Sequence, residues 1–176
     1  MVNPALLVID MQEALVRGAY DERGVVERIG DIARRMTTAN LPVIFIQHNH
    51  SSFQPMMKGE VGWMIHRDLR THVGDTTVEK QASDAFYGTR LEETLRKLGV
   101  DTILVAGMQT EFCVDATCRS ALSHGFDVVL LADCHTTGDS ALSARQVIDH
   151  HNSLLANLAH PHHRVAVMAE SEVNIP

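Results

Sequence analysis

The chain alternates short, uninterrupted apolar runs with longer segments in which apolar residues recur every three or four positions. Ala5-Leu6-Leu7-Val8-Ile9 contains no polar residue and stops at Asp10, the pattern of a central parallel strand buried on both faces and closed by a carboxylate. Residues 25–39 place Val25, Ile29, Ile32, Ala33 and Met36 on one stripe with arginines between them, which predicts an amphipathic helix ending before Leu41-Pro42. Val43-Ile44-Phe45-Ile46 is a second buried strand. Residues 47–76 then lose periodicity. They are rich in His, Ser, Gly and Met and hold the single tryptophan, Trp63; a loop of this length in a compact domain is usually functional.

Periodicity returns with a short third strand, residues 77–80, whose last residue is Lys80. Thr89 is the expected cap of a helix over residues 90–98, with Leu91, Leu95 and Leu98 on one face and Gly99 closing it. Residues 102–106 form the fourth strand, 128–132 the fifth, 140–158 a long helix and 165–168 a sixth strand. Between the fourth strand and Gly125 lies Gly107-Met108-Gln109-Thr110-Glu111-Phe112-Cys113-Val114. If the Thr110 hydroxyl caps a helix here, Cys113 falls in its first turn, where aligned peptide dipoles and unpaired N–H groups favour a thiolate. The same N–H groups suit an oxyanion.

Strands alternating with helices imply right-handed crossovers. The predicted fold is α/β: a single-domain, doubly wound, Rossmann-like sheet of six mostly parallel strands, spanning residues 1–176 with helices on both faces. Ligands of such sheets bind beyond the carboxyl ends of the strands, at the point where strand order reverses. Asp10, Lys80 and Cys113 all fall on that edge.

Composition narrows the classes of function. With 176 residues, 45% hydrophobic and 21% charged, one sizeable core is expected, and no apolar run approaches the roughly 20 residues needed to span a bilayer. The opening Met1-Val2-Asn3-Pro4 carries no basic region and enters a core strand at once, unlike a secretory leader. A net charge of −7 without a basic stripe argues against nucleic acid. Cys113, Cys118 and Cys134 lack metal-ligand spacing and are odd in number, which fits a reducing cytoplasm better than a disulfide framework.

The motifs resemble those of the isochorismatase-like cysteine hydrolases, a family that includes nicotinamidases, N-carbamoylsarcosine amidase and streptothricin hydrolase. The resemblance runs from Leu6-Leu7-Val8-Ile9-Asp10-Met11-Gln12 through Val78-Glu79-Lys80 and Asp84-Ala85-Phe86-Tyr87-Gly88-Thr89 to the Cys113 segment and Ala132-Asp133-Cys134-His135-Thr136-Thr137. It implies a catalytic Asp10, Lys80 and Cys113, a cis peptide at Met108-Gln109, and a homo-oligomer. The backbone N–H groups of Gln109 and Cys113 would then hold an oxyanion. The long loop is similar to the streptothricin-hydrolase-like branch, with Gln47-His48 after the second strand and Gly59-Glu60-Val61-Gly62-Trp63 later. Gln12, Trp63, Phe86, Tyr87, Phe112 and His135 are the expected pocket residues.

The expected reaction is hydrolysis of a C–N bond in a small amide or lactam through a thioester, with no cofactor. A cysteine at this position disfavours the vinyl-ether cleavage of true isochorismatases. Nicotinamidases of the family carry an Asp-x-His metal motif, whereas this chain has His48-Asn49-His50; no metal is expected, and His48 and His50 are the ligands if one binds. The rival reading is a flavodoxin-like binding or redox-sensing module with Cys113 as sensor. It lacks support from the first turn, where Asp10-Met11-Gln12-Glu13 is not glycine-rich and would repel a phosphate.

Overall fold

The computed structural model describes residues 3–69 and 75–175, so residues 70–74 of the long loop lie outside the described residues. Six strands, β1 (Pro4–Ile9), β2 (Val43–His48), β3 (Thr76–Lys80), β4 (Thr102–Met108), β5 (Asp127–Thr136) and β6 (Val165–Met168), form one sheet in the order β3-β2-β1-β4-β5-β6. Every neighbouring pair is parallel. The chain builds outward from β1 to β3, returns to the other side of β1 as β4, and continues to β6. The order therefore reverses between β1 and β4, the place where the carboxyl ends of an open sheet leave a crevice.

The helices are α1 (Glu13–Val16), α2 (Glu22–Thr38), α3 (Leu91–Lys97), α4 (Asp115–Ser123) and α5 (Ala144–Ala156). Alternation along β1 divides the core in two. Leu6 and Val8 pack with Val25, Ile29, Ile32 and Met36 of α2. Leu7 and Ile9 face the opposite layer, with Leu91 and Leu95 of α3, Ala121 and Leu122 of α4, and Leu155 of α5. None of the helices among the described residues is long and apolar enough to cross a membrane.

Two boundaries differ from the sequence pattern for identifiable reasons. The last helix starts at Ala144 because Ser143 accepts from the Gln146 N–H while the Gln146 side chain accepts from the Ser143 N–H, a capping box that leaves residues 140–142 outside. Strand β5 continues to Thr136 because its register against β4 shifts: Val105 pairs with Leu130, but Gly107 pairs with His135. An irregularity of this kind lets one strand carry extra residues past its partner. Gly107 sits at that shift with φ +121°, and a Cβ there would lie 2.0 Å from the Ile9 carbonyl oxygen. Only glycine lets β4 approach β1 this closely at the reversal point.

Candidate active site

Three adjacent strand ends supply the first three groups. Asp10 follows β1 with φ +50°, and its N–H donates to Ile46 O of β2 at 2.9 Å. His48 closes β2 and Lys80 closes β3, and these two are direct Cα partners in the parallel register. Strand β4 ends at Met108. The Met108-Gln109 peptide is cis, and a π-helical turn, Thr110–Val114, carries Cys113 to the start of α4.

The other three side chains converge on the Lys80 ammonium. Nζ lies 2.7 Å from Asp10 Oδ2, 3.0 Å from His48 Nδ1, 3.0 Å from Ala82 O and 3.2 Å from Cys113 Sγ. Lys80 and Asp10 have side-chain exposures of 0% and 1%, so this ion pair is removed from water. Neither Asp10 oxygen receives a well-aligned hydrogen bond within the protein. Ion contact thus neutralises the carboxylate while leaving lone pairs free to accept a proton.

Burial pushes the Asp10 carboxyl above its usual range, opposed by the Lys80 charge and by the nearby Cys113 thiol. Burial, followed by the Asp10 charge, pushes the Cys113 thiol up to about 12 against the opposing pull of Lys80. This corrects the expectation of a thiol acidified by a helix start. Cys113 lies in a π-helical turn ahead of α4, and desolvation together with an adjacent carboxylate outweighs the peptide dipoles. The resting group is a thiol beside a base.

Thr110 also differs from expectation. The turn has no side-chain cap, and the Thr110 hydroxyl lies 2.9 Å from His135 Nδ1. His135 Nε2 is 2.9 Å from Asn152 Oδ1, while Asn152 Nδ2 donates to Ala132 O at 3.1 Å. His135 is therefore buried behind the turn, with both ring nitrogens engaged. Burial pulls its imidazole down to about 4. Asn152 carries no sequence signal beyond its place on α5.

The other expected pocket residues are placed as follows. Gln12 is fully buried, and its amide accepts from the His48 N–H at 2.8 Å and donates to His48 O at 3.1 Å and Trp63 O at 2.7 Å. It clamps β2 to the long loop and has little left for a ligand. Phe86 is buried, stacked on His124 and packed near Phe126, because it fills the core beneath α3 and α4. Trp63 is half-buried and donates from Nε1 to Asn49 Oδ1. Tyr87 and Phe112 remain on the surface at 73% and 54% exposure.

The metal expectation changes in membership. Ligand atoms of Asp10, His48 and Cys113 lie within 4.8 Å of one another, while His50 Nδ1 accepts from the Ser52 and Phe53 N–H groups. The donor set does not fit a metal ion, because the Lys80 ammonium is already in contact with all three groups and a second cation would be repelled. His48 is the member of this cluster whose role the sequence reading missed. A signal was present: Gln47-His48 ends an apolar strand just as Asp10 follows one.

The α/β fold with its six parallel strands agrees with the comparisons to known proteins. The chain belongs to the isochorismatase family: the isochorismatase domain model matches residues 4–169. It is thus an isochorismatase-family hydrolase. Nicotinamidase 3 of Arabidopsis thaliana is 35% identical over 171 residues, covering 88% of this chain and 80% of its own length. Streptothricin hydrolase of Streptomyces noursei is 34% identical over 138 residues, covering 77% of this chain, which spans only 50% of that protein. A crystal structure described as an isochorismatase family protein superimposes with a TM-score of 0.83 at 30% identity, covering 93% of this chain and 97% of the other.

Proposed function

We propose that the protein is a cysteine-dependent amidohydrolase that cleaves a C–N bond of a small-molecule amide or lactam. The observation that carries this reading is the contact of the buried Lys80 with both Asp10 and Cys113 at the sheet edge. Asp10 takes the Sγ proton as sulfur attacks the carbonyl carbon, and the developing oxyanion is received by the backbone N–H groups of Gln109 and Cys113. Asp10 then gives that proton to the departing nitrogen, the C–N bond breaks and an acyl thioester remains on Cys113. Water attacks the thioester, Asp10 takes one of its protons, the acid leaves and the proton returns to sulfur. The sum is amide plus water to acid plus amine, with no redox change.

The reading extends to the substrate class. Trp63, Tyr87 and Phe112 offer aromatic faces to a small planar or apolar acyl group, and the names of the two relatives above, a nicotinamidase and a streptothricin hydrolase, support a carboxamide or lactam. The protein acts as a homo-oligomer in a reducing compartment, a state that sedimentation would check. Amine or ammonia release across nicotinamide, N-carbamoyl amino acids and cyclic lactams tests the reaction. Mass spectrometry should find a substrate-derived acyl group on Cys113; label confined to Cys118 or Cys134, both buried, would overturn the assignment.

A further inference from the structure

We propose that His48 is a positioning residue for this hydrolase: its Nδ1 and the Ala82 carbonyl pin two of the three Lys80 N–H bonds, leaving one to alternate between Asp10 and Cys113. The proposal rests on the amidohydrolase reading and specifies how its ammonium works.

An ammonium has three donors and no acceptor, yet four acceptors stand within 3.2 Å of Nζ: Asp10 Oδ2, His48 Nδ1, Ala82 O and Cys113 Sγ. Two of them, the imidazole nitrogen and the peptide carbonyl, keep the same charge throughout the reaction. The other two exchange charge. While Asp10 is ionised and Cys113 is a thiol, the remaining N–H is drawn toward the carboxylate, whose Oδ2 is in ion contact with Nζ at 2.7 Å although not aligned for a hydrogen bond. Once the proton passes from sulfur to Asp10, the carboxyl is neutral and the sulfur anionic, and the same N–H turns to Sγ at 3.2 Å. Hydrogen bonds to an ion are roughly twice as strong as those between neutral groups, so the N–H follows the charge without translation of the ammonium.

His48 is built for a fixed part. Gln12 brackets its backbone N–H and carbonyl, and the strand register sets it beside Lys80. Because Lys80 can only donate, Nδ1 must be unprotonated, which puts the ring proton on Nε2. The charged and titratable groups facing the ring are Lys80, Asp10 Oδ2 at 4.0 Å, Cys113 and His50, whose ring centroid is 6.1 Å away. Burial, Lys80 and His50 pull the imidazole down to about 4, so Nδ1 accepts throughout the neutral range. A carboxylate at this position would hold Lys80 by charge and draw it from Asp10; a neutral acceptor holds it without that competition.

Three variants test the idea. In His48→Asn the amide oxygen falls near the place of Nδ1, in His48→Gln near that of Nε2, and His48→Ala has no acceptor. With the pin lost, a second N–H swings to Asp10 and weakens it as a base. His48→Ala and His48→Gln should lower kcat by about tenfold or more, within the range a misplaced catalytic group costs, with KM little changed. Iodoacetamide alkylation of Cys113 at neutral pH should slow in parallel, and His48→Asn should restore both to within about threefold of wild type. Wild-type alkylation in His48→Ala, or equal losses in the Asn and Gln variants, would overturn the proposal. Persistent unreactivity of Cys118 and Cys134 reports that each variant is folded, and the Asn/Gln pair decides if the Ala variant is not. Alkylation needs no substrate. If the wild type cleaves no amide, the functional reading falls while this series still decides the role of His48.

Discussion

At the end of β5, His135 and Asn152 form a buried chain in which every donor meets one acceptor. Asn152 Nδ2 donates to Ala132 O, which turns its Oδ1 to the His135 Nε2 proton; Nδ1 is then free to accept from the Thr110 hydroxyl. A few strands away, Lys80 faces four acceptors with three donors, and both Asp10 oxygens lack aligned partners. The two clusters share a sheet edge and a degree of burial, but the first is saturated and the second is not. Saturated buried networks rigidify. Unsaturated ones keep a high-energy proton position available, the condition for proton transfer.

Four measurements sharpen or break this contrast. Cys113→Ser should lower amide turnover by about 10⁴-fold or more, with folding stability by urea titration unchanged to within about 1 kcal/mol. Lys80→Met should abolish turnover and also cost about 3–5 kcal/mol of stability at neutral pH, since Asp10 is left buried and unpaired. Adding Asp10→Asn should recover part of that stability. Unchanged stability in Lys80→Met would mean that the ammonium is not needed to hold the carboxylate, and the contrast would collapse.

The saturated cluster predicts acid sensitivity. The His135 imidazole is pulled from 6.5 down to about 4 in the folded protein, so the folded state binds a proton less readily than the unfolded state. Its contribution is fully present above 6.5 and is lost as pH falls toward about 4. At about 1.36 kcal/mol per pH unit, the loss approaches 3 kcal/mol. Urea titrations of wild type and His135→Asn across this window should show a shallower slope in the variant; equal slopes would remove His135 as the cause. The smallest effect is expected of Thr110→Val, which leaves a buried Nδ1 without a donor and should cost about 1–3 kcal/mol, measurable in the same titration.

Apolar runs marked the central strands, and the abrupt polar end of the first marked Asp10, because a buried parallel strand can change character only where it leaves the sheet; Lys80 closes the short mixed strand Thr76–Lys80, and Cys113 follows β4 in the next turn. His48 was harder to recognise, since its role comes from pairing with Lys80 in the β2–β3 register, and register between distant segments is not written in either one. The Thr110 misassignment has a related origin. Local capping propensity favoured a backbone partner, and tertiary packing supplied His135 instead. Phe86 was placed at the pocket by its neighbours in the chain, although the core under α3 and α4 took it. The proton affinity of Cys113 followed from burial beside a carboxylate, and burial depth is fixed only once the layers close.

Acid, imidazole, ammonium and sulfur come from β1, β2, β3 and the turn after β4, yet they stand together only because β4 seats directly against β1. A nascent chain synthesised through Lys80 already carries the first three and has nothing to attack with. When Cys113 emerges it is a plain thiol, remote from Asp10, and it stays so until the fourth strand docks. In a refolding time course, hydrolytic competence should therefore trail the recovery of secondary structure, with maturation of the enzyme reported by the sulfur.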